Sequence, residues 1–551
     1  MLCRLGWILF FVGLFSAKLS GQSSSFLGDG VQDFLRREQL VGKVDLKKGL
    51  VMESFASGYW GMDTLLPEWG MHKGKILSKL LKKSAVKISW LPFSTTQQYS
   101  THHPYSWNDG AMIPAAGYQT LLSGGIHLEA GNLSIQLKPE WVYAQNKAFE
   151  TFPAEHYDNY WYKLYQQLNK IDLPEQFGTK SYQKISPGQS SIRYRLGKYS
   201  MGLSTENIWW GPGRFNALVM SNNAPGFAHL TFNTLTPIET SIGSFEAQIM
   251  AGTLQASGIL PPYIYRVFNG ERIYQPKQEK QRYVTGMLLS WQPKWVKGLF
   301  IGFTKASYLY QSDISGIADI LPLEGIITSA TEKNNQKASL GSLFTRYVMP
   351  EEKAELYFEF GRSDKSATLL NLIADNDYPR AYIAGFRKLF ATRKSNRFIE
   401  LAGELTQLQL PTAELIQQAV SWYTHPFVRQ GYTNQGQVMG AGIGLGSNSQ
   451  LVDISWVNGF SKFGIKFERI GRNKDFMYNA FPLVHDFTRH WTDLATTFHA
   501  NWQQHHFLFA AELVSMRSLY YQWVIFEGLP FYKNGYDVLN FQGRVSLAYR
   551  F

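Results

Sequence analysis

The sequence of 551 residues has one cysteine, Cys3, so a framework of disulfides is excluded. Charged residues make up only 17% of the chain. After the first 22 residues no apolar run approaches the roughly 18 residues that a membrane-spanning helix needs. The sequence therefore excludes a helical membrane protein, and size and hydrogen bonding have to stabilise the fold.

Catalytic and cofactor motifs are also missing from the sequence. It has no nucleotide-binding loop, zinc signature, calcium loop or G-x-S-x-G segment. The adjacent pairs His102-His103 and His505-His506 would point to opposite faces of a strand, so neither pair suits one metal ion, and we expect both in loops or turns. We predict no enzyme activity, no cofactor and no metal.

The first residues have the pattern of a secretory signal. Arg4 is followed by an apolar run from Leu5 to Phe15, which is too short to span a membrane. We predict a signal peptide at 1–21, with cleavage near Gly21. Its removal takes away Arg4 and Lys18, and it lowers the formal charge from +12 by two. A basic exported protein favours acidic polysaccharide or lipid headgroups over nucleic acid.

The chain is rich in the residues of large β proteins, with 15% aromatics and 48 glycines. Apolar and polar residues alternate in many segments, as in 126–137 and 494–513. In the last segment Phe541, Val545, Leu547, Tyr549 and Phe551 share one face, while Gln542, Arg544, Ser546 and Arg550 share the other. This pattern predicts a barrel strand with lipid outside and water inside.

We therefore predict an all-β fold, a large antiparallel transmembrane β-barrel over 85–551. At about 9–11 residues for each strand, this region has room for 16 to 20 strands. A terminal aromatic residue resembles the recognition signal of bacterial outer-membrane barrels. The predicted location is thus the bacterial outer membrane, with its lipids and the barrel assembly machinery as partners.

Residues 22–84 are predicted to form a partly helical periplasmic segment. Val31, Phe34 and Leu35 have helical spacing after a possible cap at Asp29. A second candidate helix, 74–87, has lysines opposite its apolar face. It could lie on a membrane, but we favour a small helical unit packed on the periplasmic end of the barrel.

The stretch ENIWWGPGRFNALVMSNNAPGF, residues 206–227, combines side chains that suit sugar recognition. A tryptophan can stack on a sugar or belong to an interfacial girdle. Arginine suits carboxylates, and asparagines bind hydroxyls or cap turns. The ligand-binding candidates in this stretch are Asn207, Trp209, Trp210, Arg214, Asn222 and Asn223.

This stretch closely resembles the signature of the Wzi-type capsule assembly proteins. The segment 424–450, THPFVRQGYTNQGQVMGAGIGLGSNSQ, also resembles that family, and it adds Arg429 and Tyr432 to the candidates. The resemblance extends over about 90–551. It implies an outer-membrane barrel of about eighteen strands with a periplasmic helical unit.

Members of that family act as surface lectins that hold capsular polysaccharide on the cell. The resemblance therefore implies an outer-membrane lectin that binds and anchors capsular or extracellular polysaccharide. Two alternatives remain open at this point. One is a diffusion porin for small solutes, and the other is a barrel enzyme that modifies surface glycan or lipid.

Overall fold

The computed structural model describes residues 25–54, 86–105, 107–322, 336–363, 379–394, 396–411, 420–481, 488–524 and 536–550. Eighteen antiparallel strands within these residues form a closed barrel, which confirms the predicted fold class. Three of the strands, β3, β4 and β6, are each interrupted and have two segments.

The strands are β1 (Val86–Ser100), β2 (Gly117–Ala130), β3 (Leu133–Leu137 and Glu140–Ala144), β4 (Tyr182–Ser186 and Ser191–Leu196), β5 (Tyr199–Ser204), β6 (His229–Thr234 and Ile238–Thr240), β7 (Gly243–Leu254), β8 (Arg282–Pro293), β9 (Leu299–Tyr310), β10 (Ala338–Met349), β11 (Ala354–Ser363), β12 (Arg380–Ala391), β13 (Arg397–Gln407), β14 (Asn448–Asn458), β15 (Ser461–Gly471), β16 (Thr492–Gln504), β17 (Phe507–Leu519) and β18 (Val538–Tyr549). The helices are α1 (Ser25–Leu40), α2 (Asp158–Leu168), α3 (Ile317–Ile320) and α4 (Lys474–Ala480), with 3₁₀ turns at Gln311–Asp313 and Tyr521–Trp523. Short paired strands outside the barrel are Met52–Ser54 with Ile208–Trp210, Val267–Phe268 with Glu271–Arg272, and Thr433–Asn434 with Gln437–Val438.

The barrel closes between its first and last strands, where Phe93 pairs with Tyr549 and Ser100 with Gln542. Its two ends differ. At one end short turns join the strands, such as the two-residue turns after Asn458 and Gln504. We call this the short-turn end. The opposite end has the long connections, including 255–281 and 408–447, and we call it the long-loop end.

The last strand confirms the predicted alternation. Phe541 and Val545 are each 52% exposed on the outer wall, whereas Gln542 and Arg544 are buried in the lumen. Apolar side chains that point outward carry no desolvation penalty in the hydrocarbon of a membrane, and polar side chains that point inward keep their hydrogen bonds. Phe551 lies outside the described residues.

Aromatic rings gather on the barrel wall near both ends. At the short-turn end Trp502 stacks on Phe509 with ring centroids 4.9 Å apart, and Trp456 lies 5.8 Å from Phe463. At the long-loop end Tyr118 lies 6.4 Å from Tyr143. Such girdles mark the two interfaces of a membrane. None of the helices in the described residues is long and apolar enough to cross a membrane.

The predicted N-terminal helix exists as α1, but it lies inside the barrel lumen near the short-turn end. Phe34 packs there against Phe460, with ring centroids 6.0 Å apart, and Leu508 belongs to the same cluster. Because α1 is surrounded by the barrel, its charged residues Arg36 and Arg37 are buried as well. The second candidate helix falls almost entirely in 55–85, outside the described residues, and its last two residues begin β1.

Two inward-folded connections, 205–228 and 420–447, occupy much of the rest of the lumen. Their apolar side chains, among them Trp210, Leu218, Trp422 and Tyr432, form one buried cluster. Inward side chains of the barrel, such as Leu288, complete the cluster. Within the described residues, α1 and these two connections therefore occupy most of the lumen, and a polar cavity remains beside α1.

Candidate functional site

The stretch 206–227 forms the connection between β5 and β6, and it turns into the lumen at Gly211-Pro212-Gly213. Gly211 has φ +114°, which favours glycine. A Cβ atom on Gly213 would lie 2.0 Å from the carbonyl oxygen of Asn216. The glycines are thus explained by a tight internal turn.

A carboxylate of the barrel wall fixes this turn. Glu404 on β13 accepts hydrogen bonds from the backbone N–H groups of Arg214 (2.7 Å), Phe215 (3.2 Å) and Asn216 (2.9 Å). Tyr357 also donates to it, at 2.9 Å. Successive N–H groups in a turn form a concave site for an anion, and here the anion is supplied by the protein itself.

The guanidinium of Arg214 reaches α1. Its Nη2 atom donates to Asp33 and lies 3.4 Å from Glu400. Asp33 also accepts from Arg387 (2.6 Å) and lies 3.8 Å from Lys462. Burial alone would raise the pKa of Asp33, but the surrounding cations, Arg214 first, hold this pKa well below its usual range. Arg214 thus joins the turn at Gly211-Pro212-Gly213, which we call the signature turn, to α1 in the lumen.

The other candidates in this stretch also have internal partners. Trp210 is fully buried and donates to Gln248 at 2.8 Å. Trp209 is buried beside a lumen cavity. The side chains of Asn207 and Asn223 donate to the carbonyl oxygens of Ala224 and Val438, at 2.7 and 2.8 Å. The backbone carbonyl oxygen of the half-buried Asn222 accepts from the Gly110 N–H group at 2.8 Å.

The two candidates of the second segment also have partners within the protein, and Arg429 is half-buried. Tyr432 is fully buried and stacks on Tyr423, with ring centroids 6.2 Å apart. Arg429 donates to the backbone carbonyl oxygens of Asn169 (3.0 Å), Pro276 (3.1 Å) and Gln275 (2.7 Å). Arg429 therefore joins the end of α2 to the connection between β7 and β8.

Two of the eight candidates, Trp209 and Arg214, come together on a cavity of about 210 Å³ between α1 and the signature turn. Barrel residues Lys462 and His499 also line it. The other six candidates are spread through the packed connections. Direct contact of the eight with a ligand stays a prediction.

A different surface at the long-loop end has the features of a sugar-binding site. Its exposed aromatic residues are Tyr157 (71% exposed), Tyr263 (50%) and Tyr265 (72%). The tyrosine surface, as we name it, consists of Tyr157, Tyr162, Tyr263, Tyr265, Arg266 and Arg272. Exposed aromatic faces offer stacking to the C–H face of a sugar, and a guanidinium offers donors to hydroxyl or carboxylate oxygens.

The tyrosine surface rests on α2. Tyr162 stacks on Phe268 with ring centroids 4.9 Å apart, and the Tyr263 ring lies 5.1 Å from that of Trp161. Arg266 donates to Asp158 at 2.5 Å and to the carbonyl oxygens of Ala154 and His156. These contacts fix the loop before any ligand arrives, which reduces the entropic cost of binding.

Arg272 differs from Arg266 because its charge is available. Its guanidinium carbon lies 5.3 Å from the centre of the exposed Tyr265 ring. Among the described residues Arg272 forms no ion pair. An exposed tyrosine and an arginine side by side form a mixed aromatic and cationic contact point.

Sequence reasoning missed this surface because it is built from two connections far apart in the chain. The available signal was the segment PPYIYRVF, residues 261–268, where tyrosines occur in a proline-containing loop rather than in an alternating strand. The histidine pairs do lie in turns, as predicted. No group of metal-binding side chains is found in the part of the chain that the structure describes.

Comparison with known proteins agrees with this architecture. The family model of the capsule assembly protein Wzi matches residues 97–506. No curated protein matches the sequence significantly. The fold is similar to that of Wzi from Escherichia coli, described as an outer-membrane protein involved in group 1 capsule assembly and a carbohydrate-binding β-barrel. The identity is 11%, over 96% of this chain and 99% of that chain, with a TM-score of 0.59.

Pseudomonas putida OprB is similar at 11% identity, over 87% of this chain and 97% of that chain, with a TM-score of 0.39. Pseudomonas aeruginosa OprD is similar at 9% identity, over 85% and 95%, with a TM-score of 0.38. The family match covers well over half of the sequence. This outer-membrane barrel therefore belongs to the Wzi family of capsule assembly proteins.

Proposed function

We propose that this protein is an outer-membrane lectin that anchors capsular or extracellular polysaccharide at the cell surface. The observation that carries the proposal is the tyrosine surface, which exposes aromatic and cationic side chains on a barrel whose lumen is largely occupied by α1 and two connections. The E. coli Wzi barrel, with the same fold, is described as carbohydrate-binding. Short turns usually face the periplasm in such barrels, so the long-loop end would face the exterior.

The mechanism is binding through many weak contacts. Each tyrosine side chain would stack on one sugar unit, and Arg272 would pair with a hydroxyl or a carboxylate. A long polymer that meets many copies of the protein is retained strongly even when each site is weak. Arg429 supports this surface from below, as a positioning residue, because it ties Gln275 and Pro276 to the end of α2.

The packed lumen favours this function over a diffusion porin. A porin needs a continuous aqueous path, whereas α1 and the two inward-folded connections occupy the lumen in the described residues. Binding requires no catalytic step. Mass spectrometry of surface glycans from cells with and without the gene should accordingly show the same covalent structure.

The test is the affinity of the purified protein for capsular polysaccharide from the producing strain. Tyr265→Ala and Arg272→Ala should each weaken binding by about tenfold, because truncating a central contact typically costs more than about 1 kcal/mol. Arg393→Ala, which removes an exposed arginine at the short-turn end, is the matched control. Equal affinities for all variants would contradict the assignment of the surface.

A further inference from the structure

Two exposed arginines face outward from the barrel wall at the long-loop end. Arg469 lies on β15 and Arg517 on β17, each two residues from the end of its strand. Both pair across the strands with Leu494 of β16, which separates them. Because neighbouring strands are about 4.8 Å apart, the two strand positions are about 10 Å apart.

Hydrocarbon-facing side chains continue below these arginines. Phe467, Phe498 and Leu513 are 48%, 57% and 64% exposed on the same outer face. Phe498 pairs directly with Leu513 across β16 and β17. The two arginines therefore lie above an apolar wall, and this order matches that of headgroups and acyl chains in a lipid leaflet.

The charge of these arginines is only partly neutralised. Arg517 pairs with Asp537 at 2.8 Å. Arg469 donates to the side-chain oxygens of Asn448 (3.1 Å) and Gln450 (2.9 Å), which are neutral, and the described residues give it no carboxylate partner. Its donors are thus held in place, and its positive charge stays uncompensated.

The charge of Arg469 also acts on a neighbouring buried lysine. Lys474, in the first turn of α4, lies outside the membrane-spanning strands. Burial, and then repulsion from Arg469, lower the pKa of Lys474 to about 8. The uncompensated charge of Arg469 is the one toward which a lipid phosphate above the wall would be drawn.

From this geometry we propose that Arg469 and Arg517 form a binding site for the phosphate groups of an anionic glycolipid in the outer leaflet. The two guanidinium groups would each take a phosphate or share one, since arginine binds phosphate through parallel N–H donors. The acyl chains would lie against Leu494, Phe498 and Leu513. Such a lipid would fix the barrel in the membrane independently of polysaccharide binding.

The test uses the full chain in detergent and native mass spectrometry, with lipid A carrying two phosphates as the probe. The double variant Arg469→Gln/Arg517→Gln should bind this probe roughly thirtyfold more weakly, which corresponds to about 2 kcal/mol. The double variant Arg393→Gln/Lys394→Gln, which removes exposed charges at the short-turn end, should bind it as the wild type does.

Dephosphorylated lipid A is the second arm. It should bind the wild type and the double variant equally weakly, because it lacks the recognised groups. A single change, Leu494→Glu, places a carboxylate between the arginines and should also abolish phosphate-dependent binding. The heat-resistant folded band on a gel verifies each variant. Equal affinity of wild type and double variant for the phosphorylated probe, or an equal loss with both probes, would overturn the site.

Discussion

Replacing Asp33 with alanine should weaken the attachment of α1 inside the lumen. Asp33 is the carboxylate that α1 offers to Arg214, Arg387 and Lys462, and only 16% of its side chain is exposed. Removing one partner of a buried ion pair typically lowers the free energy of unfolding by about 3–5 kcal/mol. Because Glu400 remains near the three cations, we expect a loss at the lower end of this range, about 3 kcal/mol.

The assay is urea unfolding of the folded barrel, combined with limited proteolysis of α1. Asp45→Ala is the control, because Asp45 is exposed and, within the described part of the chain, its carboxylate accepts only from the Lys47 backbone N–H group at 2.9 Å. The alanine variant of Asp33 should lose stability, and α1 should be cleaved faster. If the two variants unfold and are cleaved alike, the ion pairs of Asp33 do not hold α1.

The pH dependence of this difference follows from the lowered pKa of Asp33. A carboxyl group with a depressed folded-state pKa stabilises the folded protein above its unfolded pKa of about 3.9, and this contribution is lost as the pH falls through the folded pKa. The wild type should therefore exceed Asp33→Ala in stability at pH 7. The gap should shrink as the pH falls below about 4.

Three further predictions concern the connections inside and above the barrel. Glu404→Ala should lower the free energy of unfolding by about 3 kcal/mol, because three backbone N–H groups lose their buried acceptor; the matched exposed change Glu351→Ala should have no effect, and equal urea midpoints would refute the role. Arg429→Ala should weaken polysaccharide binding and speed proteolysis within 255–281. Arg429→Lys should restore wild-type binding and wild-type resistance to proteolysis only in part, because lysine lacks the planar guanidinium group. Cleavage of Arg429→Ala at the wild-type rate would contradict this. Planar bilayers with wild-type protein should show no steady conductance, and a variant lacking residues 25–40 should show more; a large wild-type conductance would restore the porin alternative.

The barrel was predictable because alternation is a local property of each strand. Phe541 and Val545 on one face and Arg544 on the other decide which face of the strand points toward lipid, whatever strands lie beside it. The helical spacing in α1 was also readable. Its place was not, because the partners of Asp33 and Arg36 come from Arg387 on β12 and Glu355 on β11, more than 300 residues away.

The binding candidates show the limit of reading chemistry from composition. Trp210 and Arg214 belong to residue types that bind sugars, yet their partners in the structure are Gln248 and Asp33. The same polar and aromatic side chains that suit a ligand also suit a packed polar lumen, and only the three-dimensional contacts separate the two. The exposed Tyr265, in contrast, has no periodic pattern that would single it out.

The most direct test of anchoring compares cell-bound with shed polysaccharide in a deletion strain that expresses the wild type, Tyr265→Ala/Arg272→Ala or the control Arg393→Ala at equal surface levels. We expect the wild type and the control to keep the polymer on the cell, and the tyrosine-surface variant to shift it to the shed fraction at constant total. An unchanged partition between the three strains, equal to that of the deletion strain without any complement, would contradict an anchoring lectin.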